Sequence, residues 1–172
     1  DSEVTLAQLQ HSGRRLLCLV ARDITLRKRA ESEREDHRRS LEHLATHDPL
    51  TGLPNRLFLR DRLPELLQRA ANSSSCMALL FLDLDQFKSI NDTRGHAAGD
   101  ELLRETARRL RASIAGTDIV VRMGGDEFVL LVGDPGDRQN VANVAQRVLE
   151  AMRAPLRIED QSFAMSASIG VS

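Results

Sequence analysis

The chain has few cysteines, no excess of charge of either sign and no long apolar run, and each absence excludes something. Its two cysteines, Cys18 and Cys76, fall in different segments of the 172 residues and share no CxxC or zinc-type spacing. A disulfide scaffold and a structural metal are therefore not expected, and two unpaired thiols suit a reducing, cytoplasmic location. Lys and Arg number 24 against 25 Asp and Glu, a formal net charge of -1. No overall basic field draws such a chain to nucleic acid or to an anionic membrane, so a charged ligand has to be met by a local site. No apolar run approaches the roughly 20 residues that span a bilayer, and the opening DSEVTLAQLQ lacks the basic and apolar regions of a signal peptide. A soluble chain without direct membrane contact is expected. What is present, 41% hydrophobic and 28% charged residues, is enough to bury one good core, so one domain plus an appendage is expected.

Residues 4–10 and 14–21, VTLAQLQ and RRLLCLVA, read as two strands joined by the turn HSG. A lone hairpin is marginal in water, which makes residues 1–25 the expected tail of a truncated domain. Residues 26–47 hold no Gly or Pro and are rich in Arg, Glu and Leu, with Thr25 the expected N-cap. They predict a helix about 33 Å long. Its 3,4 spacing through Leu26, Ala30, His37, Leu44 and His47 is interrupted by Glu33 and Ser40. Two readings stay open, a solvated connector and one strand of a two-stranded coiled coil.

DPLTGLPN, residues 48–55, breaks that helix and marks a domain boundary. Beyond it the pattern predicts a helix over 56–71 with Pro64 an irregularity, a buried strand in CMALLFLDLD, and a short turn or helix in QFKSIND. An amphipathic helix from His96 to Ala112, a hairpin in TDIVVRMGGDEFVLLVGD, a helix over 137–154 and two strands around Glu159-Asp160 complete it. The order predicts an α+β fold, an α/β sandwich with helices flanking a mostly antiparallel sheet.

The chemistry gathers at two strand ends. Asp83 and Asp85 are spaced i, i+2 and are expected on one face at the end of a buried strand, where carboxylates are costly without a positive partner. The hairpin tip RMGGDEF carries Asp126 and Glu127 behind Gly124 and Gly125. With the hairpin beside the Asp83 strand, three or four carboxylates converge near Lys88 and Arg122. An all-oxygen cluster suits Mg²⁺ (or Mn²⁺), which keeps waters and shares its shell with substrate phosphates. Phosphoryl or nucleotidyl transfer uses such a site. The glycines predict a type I′ turn with positive φ at both central positions and a backbone that a phosphate can approach. Alone, GGDE also reads as a plain hairpin turn with solvated acids.

DPLTGLPNR, FLDLDQFKSINDTRGHAAGDELL, RMGGDEF and SASIGVS, in this order and spacing, resemble the diguanylate cyclase family from about His47 to the end of the chain. The resemblance implies a nucleotidyl-cyclase-like fold that condenses two GTP molecules into cyclic di-GMP with release of pyrophosphate, each half of a homodimer presenting one GTP. It implies metal binding by Asp83, Asp126 and Glu127 and the backbone carbonyl of Leu84. Asp126 is also implied as the base for the ribose 3′-hydroxyl. Asn91 and Asp100 are implied at the guanine edge, a donor and acceptor pair that rejects adenine. Lys88 and Arg122 are implied to neutralise phosphate charge, and the amides of Gln86 and Phe87 to cradle the terminal phosphates beside Gly124 and Gly125.

GRRLLCLVARDITLRKRAE is similar to the last strand and DIT trailer of a PAS sensor domain running into a linker helix. The domains expected are thus a PAS tail over 1–25, a signalling helix over 26–47 and a cyclase domain over 48–172, cut within its C-terminal part. RAPLRIEDQSFAMSASIGVS resembles cyclase domains fused to a downstream EAL phosphodiesterase domain. The family's inhibitory RxxD product site corresponds to Ala115-Gly116-Thr117-Asp118. Its Arg is missing, so feedback through that site is not expected. The alternative function is a GTP-binding, non-catalytic module that controls an attached EAL phosphodiesterase.

Overall fold

The computed structural model describes residues 2–11, 14–73, 75–158, 161–163 and 165–172, in two compact units, Asp1–His43 and Leu44–Ser172. In the first unit β1 (Ser2–His11) and β2 (Arg14–Asp23) pair antiparallel from Ser2 opposite Asp23 to His11 opposite Arg14. The turn at Ser12 and Gly13 lies outside the described residues. Helix α1 (Thr25–Thr46) follows. The Asp23 carboxylate accepts from the Thr25 amide at 2.9 Å and from the Thr25 hydroxyl at 2.6 Å, which holds the Asp23 carboxyl below its ordinary range. An aspartate two residues ahead satisfies an orphan amide as well as a threonine at the boundary does. Along α1 Glu35 pairs with Arg38 and Arg39, and Arg38 with Glu42, at i,i+3 and i,i+4 spacing. Leu26, Leu41 and Leu44 remain exposed.

The second unit is built on a four-stranded sheet of order β4-β5-β3-β8, with every neighbouring pair antiparallel. The strands are β3 (Met77–Leu84), β4 (Ile119–Gly124), β5 (Glu127–Gly133) and β8 (Ala167–Val171). Central β3 does not behave as a uniformly buried run. Ala78, Leu80, Leu82 and Leu84 are buried, while Phe81 and Asp83 are exposed, so the strand alternates with period two. The even positions join Phe128, Leu130 and Val132 of β5 in the larger core, beneath Leu102, Leu103, Ala107 and Leu110 of α4 (His96–Ser113) and Val144, Val148 and Met152 of α5 (Arg138–Arg153). On the opposite face Val121, Val129 and Leu131 pack with Leu59, Leu63 and Leu66 of α2 (Arg56–Asn72). The result is the α+β sandwich expected, with helices on both faces of an antiparallel sheet.

Helix α2 continues past Pro64, which lies inside it, and Asn55 caps it by accepting from the amides of Leu57 and Phe58. The short helix α3 (Phe87–Arg94) links β3 to α4. The last segment holds three strands where two were expected: β6 (Leu156–Ile158) pairs with β7 (Gln161–Phe163) as a separate ribbon, and β8 joins the main sheet. The turn at Glu159-Asp160 lies outside the described residues. Among those described, no helix is long and apolar enough to cross a membrane.

Candidate active site

Register brings the acids together. Antiparallel pairing sets Asp83 of β3 directly opposite Glu127, the first residue of β5, and on its other side opposite Ser168 of β8. Directly paired side chains on neighbouring strands lie about 5 Å apart at Cβ, close enough for two carboxylates to address one ligand. Asp126 precedes Glu127 in the hairpin turn and is half-buried, while Asp83 and Glu127 are exposed.

Asp85 does not join them. β3 ends at Leu84, and the Asp85 amide donates to the Ser166 carbonyl at 3.1 Å. The Asp85 carboxylate accepts from the hydroxyls of Ser166 at 2.6 Å and Ser168 at 2.9 Å. Those two hydrogen bonds, Ser166 first, hold its carboxyl below the ordinary range. Asp85 keeps to the face of Asp83, as the i,i+2 spacing predicts, since Ser168 stands opposite Asp83 and also bonds Asp85, but the two serines occupy its carboxylate. Among the described residues no group of three or more His, Cys, Asp or Glu stands close enough to hold a metal by itself, so the expected convergence of three or four carboxylates is replaced by a smaller set. That set, the opposed carboxylates of Asp83 and Glu127 with the Leu84 backbone carbonyl, is all hard oxygen. It fits a Mg²⁺ ion that completes its shell with waters and phosphate oxygens.

The turn differs from the type expected. Gly124 and Gly125 have φ of 141° and 55°, and Asp126 is not among the residues with positive φ. A bulge between Arg122 and Gly124 makes Gly124 the partner of Glu127, so Gly125 and Asp126 occupy the central positions. Glycine with positive φ at the first central position alone is the pattern of a II′ turn, not I′. A Cβ on either glycine would meet nothing within 4 Å. The glycines are therefore required by backbone conformation, and their surroundings are open to a ligand.

Arg122 is engaged within the fold. Its Nε and Nη2 donate to the Gly125 carbonyl at 3.2 and 2.8 Å, and its Nη1 pairs with Asp48 at 2.8 Å. The Arg122 amide donates to the Pro54 carbonyl at 2.9 Å. Both side chains of the ion pair are largely buried, 11% and 19% exposed. Burial pushes the Asp48 carboxyl up, but hydrogen bonds from the Thr51 hydroxyl, Arg122 and the Thr51 amide, with the charge of Arg122, outweigh it and hold Asp48 below its usual range. The DPLTGLPN loop is thereby fastened to the hairpin tip. Asn55 fastens the same loop to the end of α1, its side-chain amide donating to the Ala45 carbonyl and its backbone amide to that of Thr46. From the sequence this loop reads as a domain boundary and as one of the motifs of the family resemblance, with no contact to the hairpin tip expected. Its one available signal was an aspartate with a threonine three residues on, a pattern that folds into an Asx turn.

The remaining candidates sit on the two helices after β3. Gln86 adopts the left-handed conformation, φ 63°, and ends the turn into α3. No side chain caps that helix, so the amides around Gln86 and Phe87 are left for another acceptor. Lys88 is exposed in the first turn. Asn91 of α3 lies against Gly99 of α4, the neighbour of half-buried Asp100. At the RxxD position Asp118 is committed to the fold, accepting from the amides of Ala115 and Gly133.

The profile of the family described as "Diguanylate cyclase, GGDEF domain" matches residues 45–172. The chain is 43% identical over 134 residues to the bifunctional diguanylate cyclase/cyclic di-GMP phosphodiesterase MucR of Pseudomonas aeruginosa, covering 78% of this chain and 19% of that protein. It is 41% identical over 139 residues to the diguanylate cyclase TpbB of the same species, covering 80% of this chain and 32% of the relative. The chain thus spans a third or less of the length of these curated relatives. A sensory box/GGDEF family protein from Caulobacter crescentus has a crystal structure that superposes with a TM-score of 0.70 at 44% identity, covering 74% of this chain and 82% of that one. Signature, fold and family profile agree over the same residues, and the chain belongs to the GGDEF-domain diguanylate cyclase family.

Proposed function

We propose that residues 48–172 form a cyclase domain that condenses two GTP molecules into cyclic di-GMP, as part of a longer cytoplasmic protein in which an upstream PAS sensor acts through α1. The observation that carries this reading is the register that sets Asp83 opposite Glu127 with the Gly124-Gly125-Asp126 turn beside them. Asp83, Glu127, Asp126 and the Leu84 carbonyl would hold Mg²⁺, which when bound supplies charge neutralisation at phosphorus. The amides of Gln86 and Phe87, with Lys88, take the terminal phosphates. Asn91 and Asp100 read the guanine edge. The Asp126 carboxylate accepts the proton of one GTP's 3′-hydroxyl as that oxygen bonds to the α-phosphorus of the other GTP and pyrophosphate leaves. Each domain holds one GTP, so a homodimer is needed to bring the two reacting groups together.

Arg122 has a different part in this proposal from the phosphate neutralisation implied by resemblance. Three of its N–H groups are committed to Asp48 and Gly125, so it holds the turn that presents Asp126. The test of the whole reading is product. Full-length protein incubated with GTP and Mg²⁺ should release cyclic di-GMP and pyrophosphate. Saturable GTP binding with no product, alongside a matched cyclase that makes it, would replace the catalyst by a GTP-binding module. A GTP-dependent change in the activity of an attached EAL phosphodiesterase would then identify that module's role.

A further inference from the structure

We propose that Gly99, the residue before Asp100, is a positioning residue for nucleotide selection: by lacking a side chain it leaves open the space that the Asn91 amide occupies. The inference rests on the proposed guanine-reading role of Asn91 and Asp100. Gly99 sits within the first turns of α4, buried, with no left-handed backbone to explain a glycine there. Glycine weakens a helix interior relative to alanine, so its presence calls for a packing reason. That reason is steric and specific. A Cβ at position 99 would stand 2.0 Å from Asn91 Oδ1, 2.9 Å from Cγ and 3.3 Å from Nδ2.

Those distances mean that the amide of Asn91 lies across the face of α4 where a side chain at 99 would emerge. Even a methyl group collides with it. The collision is with the end of a side chain and not with backbone, so the helices can keep their places while the amide swings away. Turning the amide is what recognition cannot tolerate. A carboxylate at Asp100 accepts from donors on a base edge, and an adjacent amide donates to an acceptor such as a 6-oxo group; the two together describe guanine only while both point at one edge. The short connection keeps the pair in register, since the Gly95 amide donates to the Asn91 carbonyl at 2.8 Å and Gly95 opens α4 with φ 85°.

The test is GTP binding to the full-length protein, measured by calorimetry with Mg²⁺ for wild type, Gly99→Ala, Asn91→Ala and the double variant, with thermal melting as a control. Gly99→Ala is expected to weaken GTP binding roughly tenfold to hundredfold, the scale of one lost base-edge hydrogen bond, with the melting temperature little changed. The double variant should bind no worse than Asn91→Ala alone, because the two changes remove the same contact. The triphosphate of 2-aminopurine riboside, which lacks the 6-oxo acceptor, should bind wild type and Gly99→Ala equally. If Gly99→Ala does not fold, the double variant still decides, since removing the Asn91 amide removes the collision and should restore the melting temperature. Wild-type GTP affinity in Gly99→Ala beside a weakened Asn91→Ala overturns the role of Gly99. Additive losses in the double variant overturn it too. Wild-type affinity in Asn91→Ala overturns the guanine-reading assignment and, with it, this inference.

Discussion

Replacing Arg122 with alanine should lower cyclic di-GMP formation about a hundredfold, the scale of an ångström-level misplacement of a catalytic group. The guanidinium spans two elements: it grips the Gly125 carbonyl at the hairpin tip and Asp48 in the loop after α1. Without it the turn that carries Asp126 loses its lateral support, and Asp48 keeps only the Thr51 hydrogen bonds at a largely buried site. Hydrogen bonds to charged groups contribute about 1.5–3 kcal/mol, which for a unit of this size is a fall in Tm of roughly 5–10 °C. Arg122→Lys should recover little, because one ammonium cannot serve a carbonyl and a carboxylate in fixed fork geometry. The pH dependence has a definite sign. Asp48 is held below its unfolded value of 3.8, so the stabilisation is complete above that value and is lost as pH falls through the lowered one. The difference in stability between wild type and Arg122→Ala should therefore shrink in strong acid. Unchanged turnover and Tm in Arg122→Ala would show that the clamp is incidental.

Phe128→Ala should be among the most destabilising single changes, at about 3–5 kcal/mol, measured by denaturant unfolding. The phenylalanine of the signature is the letter that serves the fold. It is 1% exposed, pairs across the sheet with Leu82 and with Arg122 on β4, and stands in the larger core under α4 and α5. It is also the residue that fixes which face of β5 looks inward, immediately after the acids. Because side chains alternate along a strand, seating Phe128 in the core turns Glu127 to the other face, next to Asp83. A loss below about 1 kcal/mol would mean that the tip, and not the core, sets this register.

Much of the fold was legible because its signals are local. The 124–127 tip between apolar runs, the amphipathic spacing of α4 and α5 and the turn chemistry of DPLTGLPN each depend on neighbours within a few positions. The pairing of Asp83 with Glu127 needed only that β5 lie beside β3. What escaped was long-range or depended on one residue of register. Asp85 reads as a partner of Asp83 until β8 arrives with Ser166 and Ser168, 81 and 83 positions away. Arg122 reads as a free cation until Asp48, 74 positions earlier, is seen beside it. The turn type was misjudged because the bulge after Arg122 moves the glycines back by one place, which leaves Asp126 and not a glycine at the second central position. Gly99 carried no local signal at all beyond being a glycine inside a helical pattern.

The most direct measurement is cyclic di-GMP formation from GTP and Mg²⁺ by full-length protein in which Asp126 alone is changed to alanine, read beside its melting curve. Asp126 occupies a turn and contributes nothing to either core, so the melting temperature should stay within a few degrees of wild type while product formation falls by about a thousandfold or more. A folded Asp126→Ala protein that makes cyclic di-GMP at the wild-type rate would contradict the placement of the chemistry at the hairpin tip.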